Sequence, residues 1–469
     1  VSKYINLKKP IDFIRCYLYF ITSSDSGVLI ERDVKAIISN EDNIARGLEI
    51  IEGKTLRLNL FSGVPWSSWK DWETNPFNDR SWQWSLHWFE FLKYLMAFHH
   101  KYKNGAALNE IKVALESWID TYLYNVGSDF EFIWHDHTVA LRAELVLLFV
   151  YYIKEYEQKW MRENKDFVFR LFELMYVLGD KLNEESFYSK HTNHGLDQVR
   201  VLLLLGTVLN TDEWIRIAKV RLKSELEFSF TTEGVHKENS PGYHQFVFKR
   251  FLSIFEKHSS YNLDDLEKTF NIIAPKALEY ITYILRPDNN LPIIGDTELR
   301  PISDSYKNYF VNTLQYKNFL YSISQGEKGV KPRKTSIVYP KSGYAIFRNT
   351  WGEAVDYKQA IQIIFKAGCL SRYHHQQDEN SFVIFAYGED WIIDSGLYNY
   401  MERDHIRSYV RRRQAHNIPI ISNSSYNHHD FNHRINSWEI YDYSDDNQTP
   451  FVAARNTVLS SIEHDRKLS

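Results

Sequence analysis

The spacing of apolar residues changes once along this chain, near residue 330, and the change limits the folds available to it. From about residue 80 to 320, apolar residues recur at intervals of three and four, as one buried face of an amphipathic helix requires. Three such faces are Leu141, Leu145, Leu148 and Tyr152; Phe167, Leu171, Leu174 and Leu178; and Ile215, Ala218, Leu222 and Leu226. Beyond residue 330, short alternating apolar runs predict β-strands instead. These runs are 337–339, 344–347, 361–365, 382–385, 391–393, 418–421, 438–443 and 452–458.

The predicted helices are joined by short polar segments, so consecutive helices are expected to run antiparallel as hairpins. Repeated hairpins can close into a toroid, but no fixed-period repeat in the sequence requires that closure. The later runs are typical of an antiparallel β-sandwich. We therefore predict an α+β chain, with a helical domain over residues 1–330 and a β-sandwich over 331–469. Because the chain stops at Ser469 soon after a strand-like run, we expect the last domain to be incomplete.

Composition excludes several classes of function. The 56 basic and 60 acidic residues give a net charge of −4, which argues against a nucleic-acid-binding protein. The two cysteines, Cys16 and Cys369, have neither disulfide-framework nor zinc-knuckle spacing. Without an apolar run of about eighteen residues, no membrane span is predicted. The first residues do not resemble a signal peptide, so we expect a periplasmic or secreted location if a leader was removed and a cytoplasmic one otherwise.

Four segments contain more polar side chains than the ends of helices or strands need. They are 132–138, 191–198, 234–244 and 371–382, the last followed by Asp394-Ser395-Gly396 and Ala415-His416-Asn417. The first three are predicted at helix starts, where free N–H groups favour a carboxylated or sulfated ligand. The fourth is predicted on a loop between two strands, where binding and catalytic residues concentrate. Together the segments indicate a site for an acidic ligand.

In their order and spacing, these segments resemble the heparinase II/III-like polysaccharide lyases and the related alginate lyases. The residues that carry the resemblance are Asn193-His194, Glu238-x-Ser240-Pro241-x-Tyr243-His244, Pro292-Ile293-Ile294-Gly295-Asp296, His374-x-x-x-Asp378-x-x-Ser381-Phe382, Asp394-Ser395-Gly396 and Ala415-His416-Asn417. The resemblance implies an (α/α) toroid followed by an antiparallel β-sandwich, with the active site in the cleft between them. It also implies β-elimination at a uronic acid within an acidic polysaccharide such as a glycosaminoglycan.

Residue roles follow from the resemblance and from the chemistry of elimination. Asn193 and His194 are expected to neutralise the uronate carboxylate, because removing the C5 proton places charge on that group. Tyr243 and His374 are expected to act as the acid and base that protonate O4 and remove the C5 proton, in either assignment. A tyrosine base needs nearby positive charge, for which Arg142, His244 and Arg372 are candidates. The predicted substrate-binding residues are His137, Arg142, His244, Arg372 and Glu238.

A structural metal is a second implication of the resemblance. Relatives carry His-x-His-x-Asp ahead of Ser-Phe, and the second histidine binds zinc or a similar ion with the Asp of Asp-Ser-Gly and a later His. Asp394 and His416 match two of these ligands, whereas Gln376 occupies the place of the second histidine. Because a Gln oxygen is a poor zinc ligand and a better calcium ligand, zinc affinity should fall. A shift in loop register would let His375 take that place. The elimination itself needs no cofactor.

Other interpretations of the same residues stay open. Asp296 fits a structural turn or N-cap residue, and Arg407, Arg411, Arg412 and Arg413 fit a solvated face or a polyanion contact. A uronate C5 epimerase begins with the same proton abstraction, and a non-catalytic polysaccharide-binding or biosynthesis-associated protein would retain the fold with a decayed site. A glycoside hydrolase is less favoured, because no pair of carboxylates stands out. Glycosaminoglycan, alginate and bacterial exopolysaccharide all present the required carboxylate.

Overall fold

The structure is a computed structural model that describes residues 10–22, 27–123, 130–353, 355–401, 403–421, 434–459 and 463–469. It divides into two compact units, one ending at Glu225 and the other beginning at Leu226. The helical segments in the described part of the chain are α1 (Pro10–Thr22), α2 (Gly27–Ile38), α3 (Glu41–Ile51), α4 (Arg80–His87), α5 (Phe91–Tyr102), α6 (Gly105–Trp118), α7 (Asp136–Tyr156), α8 (Gln158–Glu163), α9 (Lys165–Asn183), α10 (Asn193–Val208), α11 (Asp212–Ser229), α12 (Pro241–Phe255), α13 (His258–Tyr261), α14 (Asp264–Ile284), α15 (Lys307–Phe310), α16 (Leu314–Ile323) and α17 (His405–Val410).

The first unit is built around α7, which is buried along almost its whole length from His137 to Ile153. It packs against α9 and α10, while α3 packs against α5. Neighbouring helices therefore surround α7 with apolar side chains, as an all-round hydrophobic helix requires. A short hairpin of β1 (Thr55–Leu56) and β2 (Val64–Pro65) follows α3.

The second unit combines helices with antiparallel strands. The strands are β3 (Ser336–Tyr339), β4 (Tyr344–Arg348), β5 (Gln362–Lys366), β6 (Ser381–Ala386), β7 (Glu389–Ile392), β8 (Trp438–Ser444), β9 (Phe451–Asn456) and β10 (His464–Leu468). In the described residues of this unit, β3 to β7 form one sheet in chain order and β8 to β10 form another. Register in the larger sheet pairs Ile346 with Ile364 and Phe365 with Phe382.

Alternate residues of the larger sheet enter two separate cores, because successive side chains of a strand point to opposite faces. One core joins Phe347 and Phe365 to Val452 and Ala454 of the smaller sheet, as in a sandwich. The other core joins Ile346 and its neighbours to the helical part of the unit, including Tyr280 and Ile284 of α14. Both faces are therefore covered, and a loop that leaves this sheet starts from a rigid base.

Most predicted strands are present with shifted ends, but the strand predicted at 418–421 is wrong. This segment forms no strand, because Pro419 lacks the N–H that a ladder needs and the amide of Ile418 donates to the carbonyl of His416 at 3.0 Å. The sequence prediction also missed β10. The predicted domain boundary near residue 330 stays a prediction. Within the described residues, no helix is both long and apolar enough to span a bilayer.

Candidate active site

The predicted strand-connecting loop is present between β5 and β6, over residues 367–380. Its two ends are tied together by a hydrogen bond from the Asn380 amide to the Ala367 carbonyl at 3.1 Å. A buried ion pair between Lys366 and Asp378, at 2.6 Å, fixes the returning half of the loop. At its tip His374 adopts a left-handed backbone conformation with φ of 51°, which is uncommon for a non-glycine residue. The loop is therefore held in a conformation that its surroundings must enforce.

His374 lies between two acidic side chains and one aromatic ring. Its Nδ1 lies 3.1 Å from Oδ2 of Asp296, and its Nε2 lies 3.8 Å from Oε2 of Glu238. The ring stacks on Tyr243 with centroids 3.4 Å apart and an interplanar angle of 18°. The structure thus brings together three predicted site residues, Tyr243, His374 and Glu238. Glu238 is buried beside His374, a position that orients the imidazole rather than one open to substrate.

Tyr243 reaches this position because of how α12 begins. Ser240 caps the helix by accepting a hydrogen bond from the Tyr243 amide at 3.3 Å, and Pro241 occupies the first turn. The Tyr243 hydroxyl lies 2.9 Å from the hydroxyl of Tyr400, a residue that sequence reasoning missed. Burial raises the pKa of Tyr243, and Tyr400, Glu238 and Asp296 raise it further. Tyr243 is therefore a neutral phenol in this state.

The positive charge expected beside Tyr243 is not supplied by His244. Its Nδ1 accepts from the His236 amide at 3.1 Å and its Nε2 lies 3.1 Å from the Ala277 carbonyl. Burial lowers the pKa of His244 to about 3, so the ring is neutral at pH 7. The structure thus places His244 in the core, where its ring supports backbone, and it does not reach a ligand. Arg372 is exposed and bonds the Tyr373 hydroxyl at 2.9 Å, so it stays a candidate for substrate contact.

Asp296 is part of the site, although its sequence context fitted a turn residue. Arg407 donates to both of its carboxylate oxygens, at 2.8 and 2.7 Å, and Gln376 donates to Oδ1 at 2.9 Å. Although burial opposes it, hydrogen bonds from His374 and Arg407 hold the pKa of Asp296 well below its usual range. The preceding Gly295 has φ of 57°, and a Cβ there would lie 2.6 Å from the Asn239 carbonyl. Glycine is thus required for Asp296 to approach His374.

The basic run at 407–413 is not uniformly solvated. Arg407 is 3% exposed and Arg413 is 8% exposed, so two of its members are structural. Arg412 is exposed, and its guanidinium donates to the Ser408 hydroxyl at 3.2 Å. The interpretation of this run as a solvated face is therefore wrong for its buried members.

Asn239 braces the loop and was also missed by sequence reasoning. Its side-chain amide donates to the carbonyls of Ser371 and Tyr373, at 2.7 and 2.9 Å, and accepts from the Leu370 amide at 2.8 Å. The residue has φ of 60°, which asparagine tolerates better than most side chains. In the sequence, the only indication of this role was an Asn between Glu238 and Ser240-Pro241. That indication was not enough, because the partners of Asn239 are more than 130 residues away in sequence.

In the first unit, polar groups meet at the starts of α7 and α10, as predicted. His194 Nδ1 lies 3.2 Å from both carboxylate oxygens of Asp136, and its ring stacks on His137 with centroids 4.3 Å apart. His137 Nε2 lies 2.9 Å from Oδ2 of the buried Asp197. Asn193 and His194 are partly exposed, whereas His137 is 7% exposed. This unit therefore gathers Asn193, His194 and His137, with the last held largely within the protein.

The pKa shifts in this cluster have two causes. Burial alone would raise the pKa of Asp136, yet hydrogen bonds from His194 and Ser189 hold it well below its usual range. Burial lowers the pKa of His137 against the opposing effect of Asp197. A carboxylate thus remains charged here and keeps the His194 ring oriented.

Arg142 lies in the core of the first unit, contrary to the prediction of a substrate-binding residue. It has no solvent exposure, and its guanidinium donates to the carbonyls of His87, Ile133 and Phe132 at 2.7, 2.8 and 3.0 Å. It also lies 4.1 Å from the ring centre of Trp118. The side chain therefore satisfies buried carbonyl groups that would otherwise lack donors.

The residues that match the metal ligands implied by the resemblance are a weak fit to zinc, and a metal at this position stays a prediction. Nδ1 of His416 lies 3.0 Å from Oδ2 of Asp394, so these two residues already pair with each other. Gln376 donates through Nε2 to Asp296 and to the Gly396 carbonyl. Its Oε1 and the Nε2 of His416 are buried without a hydrogen-bond partner among the described residues. One carboxylate, one imidazole and one amide oxygen are a weak zinc set, and calcium at this position stays a prediction.

Comparisons with known proteins place these observations in a family. Residues 31–319 match the family model described as "Heparinase II/III N-terminus", and residues 331–469 match "Heparinase II/III-like, C-terminal". A heparin-sulfate lyase from Bacteroides stercoris is 24% identical over 251 residues, covering 51% of this chain and 37% of the relative. A heparin-sulfate lyase from Pedobacter heparinus is 20% identical over 371 residues, covering 76% and 54%. The chain thus spans less than two thirds of these curated relatives.

Solved structures confirm the predicted fold class. A structure titled "Crystal Structure of Heparinase III" matches with a TM-score of 0.75 at 18% identity, covering 98% of this chain and 76% of that one. The heparan sulfate lyase HepC from Pedobacter heparinus matches with a TM-score of 0.63 at 18% identity, covering 91% and 66%. At such identities the likeness shows the fold, an (α/α) toroid followed by an antiparallel β-sandwich. With both family models matching in order, this chain belongs to the heparinase II/III family.

Proposed function

We propose that this chain cleaves a uronate-containing glycosaminoglycan by β-elimination. The observation that carries the proposal is the stacked pair of Tyr243 and His374, with His374 held between Asp296 and Glu238. A titratable imidazole and a neutral phenol at one place are the groups that a proton abstraction and a proton donation require. Both curated relatives carry the name heparin-sulfate lyase, which supports a sulfated glycosaminoglycan as the substrate class.

His374 is proposed as the base. With Nδ1 directed at Asp296, the imidazole is oriented as a tautomer that carries its proton on Nδ1 and a lone pair on Nε2. Nε2 then takes the C5 proton, and the C5–H electrons form the C4–C5 double bond while the C4–O4 bond breaks. Glu238, at 3.8 Å from Nε2, stabilises the imidazolium that results.

Tyr243 is proposed as the acid. Its raised pKa keeps the phenolic proton in place, so it is a donor to the departing O4 rather than a base. The resulting phenolate regains a proton from solvent or from His374 before the next turnover. Asn193 and His194 keep the predicted role of neutralising the substrate carboxylate, which acidifies the C5 proton.

An ultraviolet assay tests the proposal, because the C4–C5 double bond conjugated to the carboxylate absorbs where the substrate does not. Purified protein would be assayed against heparan sulfate, heparin, hyaluronan and alginate, beside Tyr243→Phe. With a sulfated glycosaminoglycan we expect the absorbance to rise with time. The rate of this rise should be about 10²–10⁴-fold lower for Tyr243→Phe. Activity on alginate but on none of the glycosaminoglycans would overturn the proposal that the substrate is a glycosaminoglycan. Deuterium exchange at C5 without absorbance would replace elimination by epimerisation.

The role of the first unit is tested by Asn193→Ala in the same assay. If Asn193 neutralises the carboxylate in the transition state, kcat should fall by about 10²–10³-fold with a smaller change in KM. An unchanged kcat would remove Asn193 from the catalytic set.

A further inference from the structure

We propose that Cys369, His375 and Glu379 bind a zinc ion, at a place separate from the Asp394–His416 pair. One ligand atom from each of the three residues lies within 4.8 Å of the other two. The three side chains are 0%, 5% and 1% exposed, respectively. A thiol, an imidazole and a carboxylate converging in the interior match the ligand types that zinc takes from proteins. This inference does not rest on the proposed activity.

The geometry needs little change to accept an ion. Zinc lies about 2.0–2.3 Å from its N, O and S ligands, so tetrahedral neighbours are separated by about 3.3–3.8 Å. Nε2 of His375 already lies 3.1 Å from Oε1 of Glu379. Three protein ligands would leave the fourth position for water. A small adjustment of these side chains would therefore form the site.

The backbone that carries these ligands is fixed by its neighbours. The indole N–H of Trp438 donates to the Cys369 carbonyl at 2.8 Å, and Asn380, next to Glu379, bonds back to Ala367. A site of this kind is pre-organised, because its ligands do not depend on an unconstrained loop.

A Cys369 thiolate and the Glu379 carboxylate would together supply two negative charges for a divalent cation. Oε1 of Glu379 faces His375, while Oε2 lies 3.5 Å from Nη1 of Arg413. Arg413 thus orients the carboxylate, as outer residues do in many metal sites, and a metal would replace the contact between Oε1 and His375. Zinc would bind the Cys369 thiolate and release the thiol proton to solvent. The positive charges of Arg413, Lys366 and Arg434 nearby oppose the cation, so its affinity should be lower than at a site without them.

Thiolate and imidazole ligands select zinc over calcium or magnesium, which prefer oxygen ligands. In this structure His375 does not take the place of the second histidine of the family pattern, where this chain has Gln376. These neighbours project to different partners, Gln376 to Asp296 and His375 to Glu379. A metal at Cys369, His375 and Glu379 would instead tie down the loop next to His374.

Cobalt substitution tests the proposal directly. The purified chain would be stripped of metal with a chelator, dialysed, and titrated with Co²⁺ and separately with Zn²⁺. We expect one equivalent of Co²⁺ to give a thiolate-to-cobalt charge-transfer band, and Zn²⁺ to displace it. Absence of that band in the folded protein would overturn the proposal without any variant.

Matched cysteine variants locate the site. Cys369→Ser should abolish the charge-transfer band and weaken zinc binding by at least about tenfold, while Cys16→Ser should change neither. Glu379→Gln serves as a second variant, since it is nearly isosteric, and should also weaken zinc binding. Circular dichroism checks that each variant is folded. Asp394→Asn should leave the band unchanged, and loss of zinc binding in that variant alone would overturn the assignment.

Discussion

The polar clusters of the two units are built differently. In the first unit, Asp136, His137 and His194 lie within the first turns of α7 and α10, and the Asp136 carboxylate contacts the imidazole ring of His194. In the second unit, His374 takes its carboxylate from Asp296, which is itself held by a buried arginine from α17. The first cluster depends on helix starts and the second on long-range ion pairing. We call these groups cluster one (Asp136, His137 and His194) and cluster two (His374, Asp296 and Arg407). Both carboxylates have depressed pKa values, so both clusters should lose stability at low pH, whereas the loss of a single buried arginine should affect only cluster two.

The largest effect is expected at His374. His374→Gln keeps a hydrogen-bonding side chain but removes the base, so kcat should fall by about 10²–10⁴-fold with little change in melting temperature. Steady-state kinetics and a thermal melt measure both quantities. A His374→Gln variant that keeps its activity would mean that cluster two does not supply the groups for proton transfer.

Arg407 should be the most important stabilising residue of cluster two. Arg407→Met leaves the Asp296 carboxylate buried without its cation, which should cost about 3–5 kcal/mol of unfolding free energy. Denaturant unfolding measures the loss. The matched control is Arg412→Met, on an exposed arginine of the same run, for which a change below about 0.5 kcal/mol is expected. Equal effects at both positions would contradict the assigned burial.

Asn239 should have a smaller effect on stability but a clear one on the loop. Asn239→Gly removes three hydrogen bonds while keeping the left-handed backbone accessible, and should cost about 1–3 kcal/mol. Asn239→Ala should cost more, because alanine disfavours that backbone conformation. Denaturant unfolding and kcat are compared for the pair. Identical stabilities would show that backbone conformation contributes nothing at this position.

The smallest effect is expected for pH in cluster one. Because the folded-state pKa of Asp136 is depressed, its stabilising contribution is complete above the unfolded pKa of about 4 and is lost as pH falls below it. Unfolding free energy measured between pH 6 and 3 should therefore fall more steeply for the natural chain than for Asp136→Asn. Parallel curves would show that Asp136 has the same pKa in both states.

Helix starts were the most predictable part of the site. Asp136, Asn193 and Pro241 each begin a helix, as the polar segments before apolar runs indicated. The roles of Arg142 and His244 were not predictable in the same way. His244 lies in a polar segment and Arg142 in the helix that follows one, yet each bonds to buried backbone groups that belong to other parts of the fold. A sequence motif shows that a polar residue is present but not whether protein or ligand satisfies it.

By itself, the sequence determined the order of helical and strand regions, the polar segments and the family resemblance, because these depend on local periodicity and short spacings. Only the tertiary structure decided which carboxylate faces which histidine. Asp296 contacts His374, Asn239 bonds the neighbouring Tyr373 carbonyl, and Arg407 bonds Asp296. These three residues lie 33 to 135 positions from His374 in the sequence. The tertiary structure also separated His375 from Gln376. Such pairings depend on burial and long-range packing, which the spacing of residues along the chain does not specify.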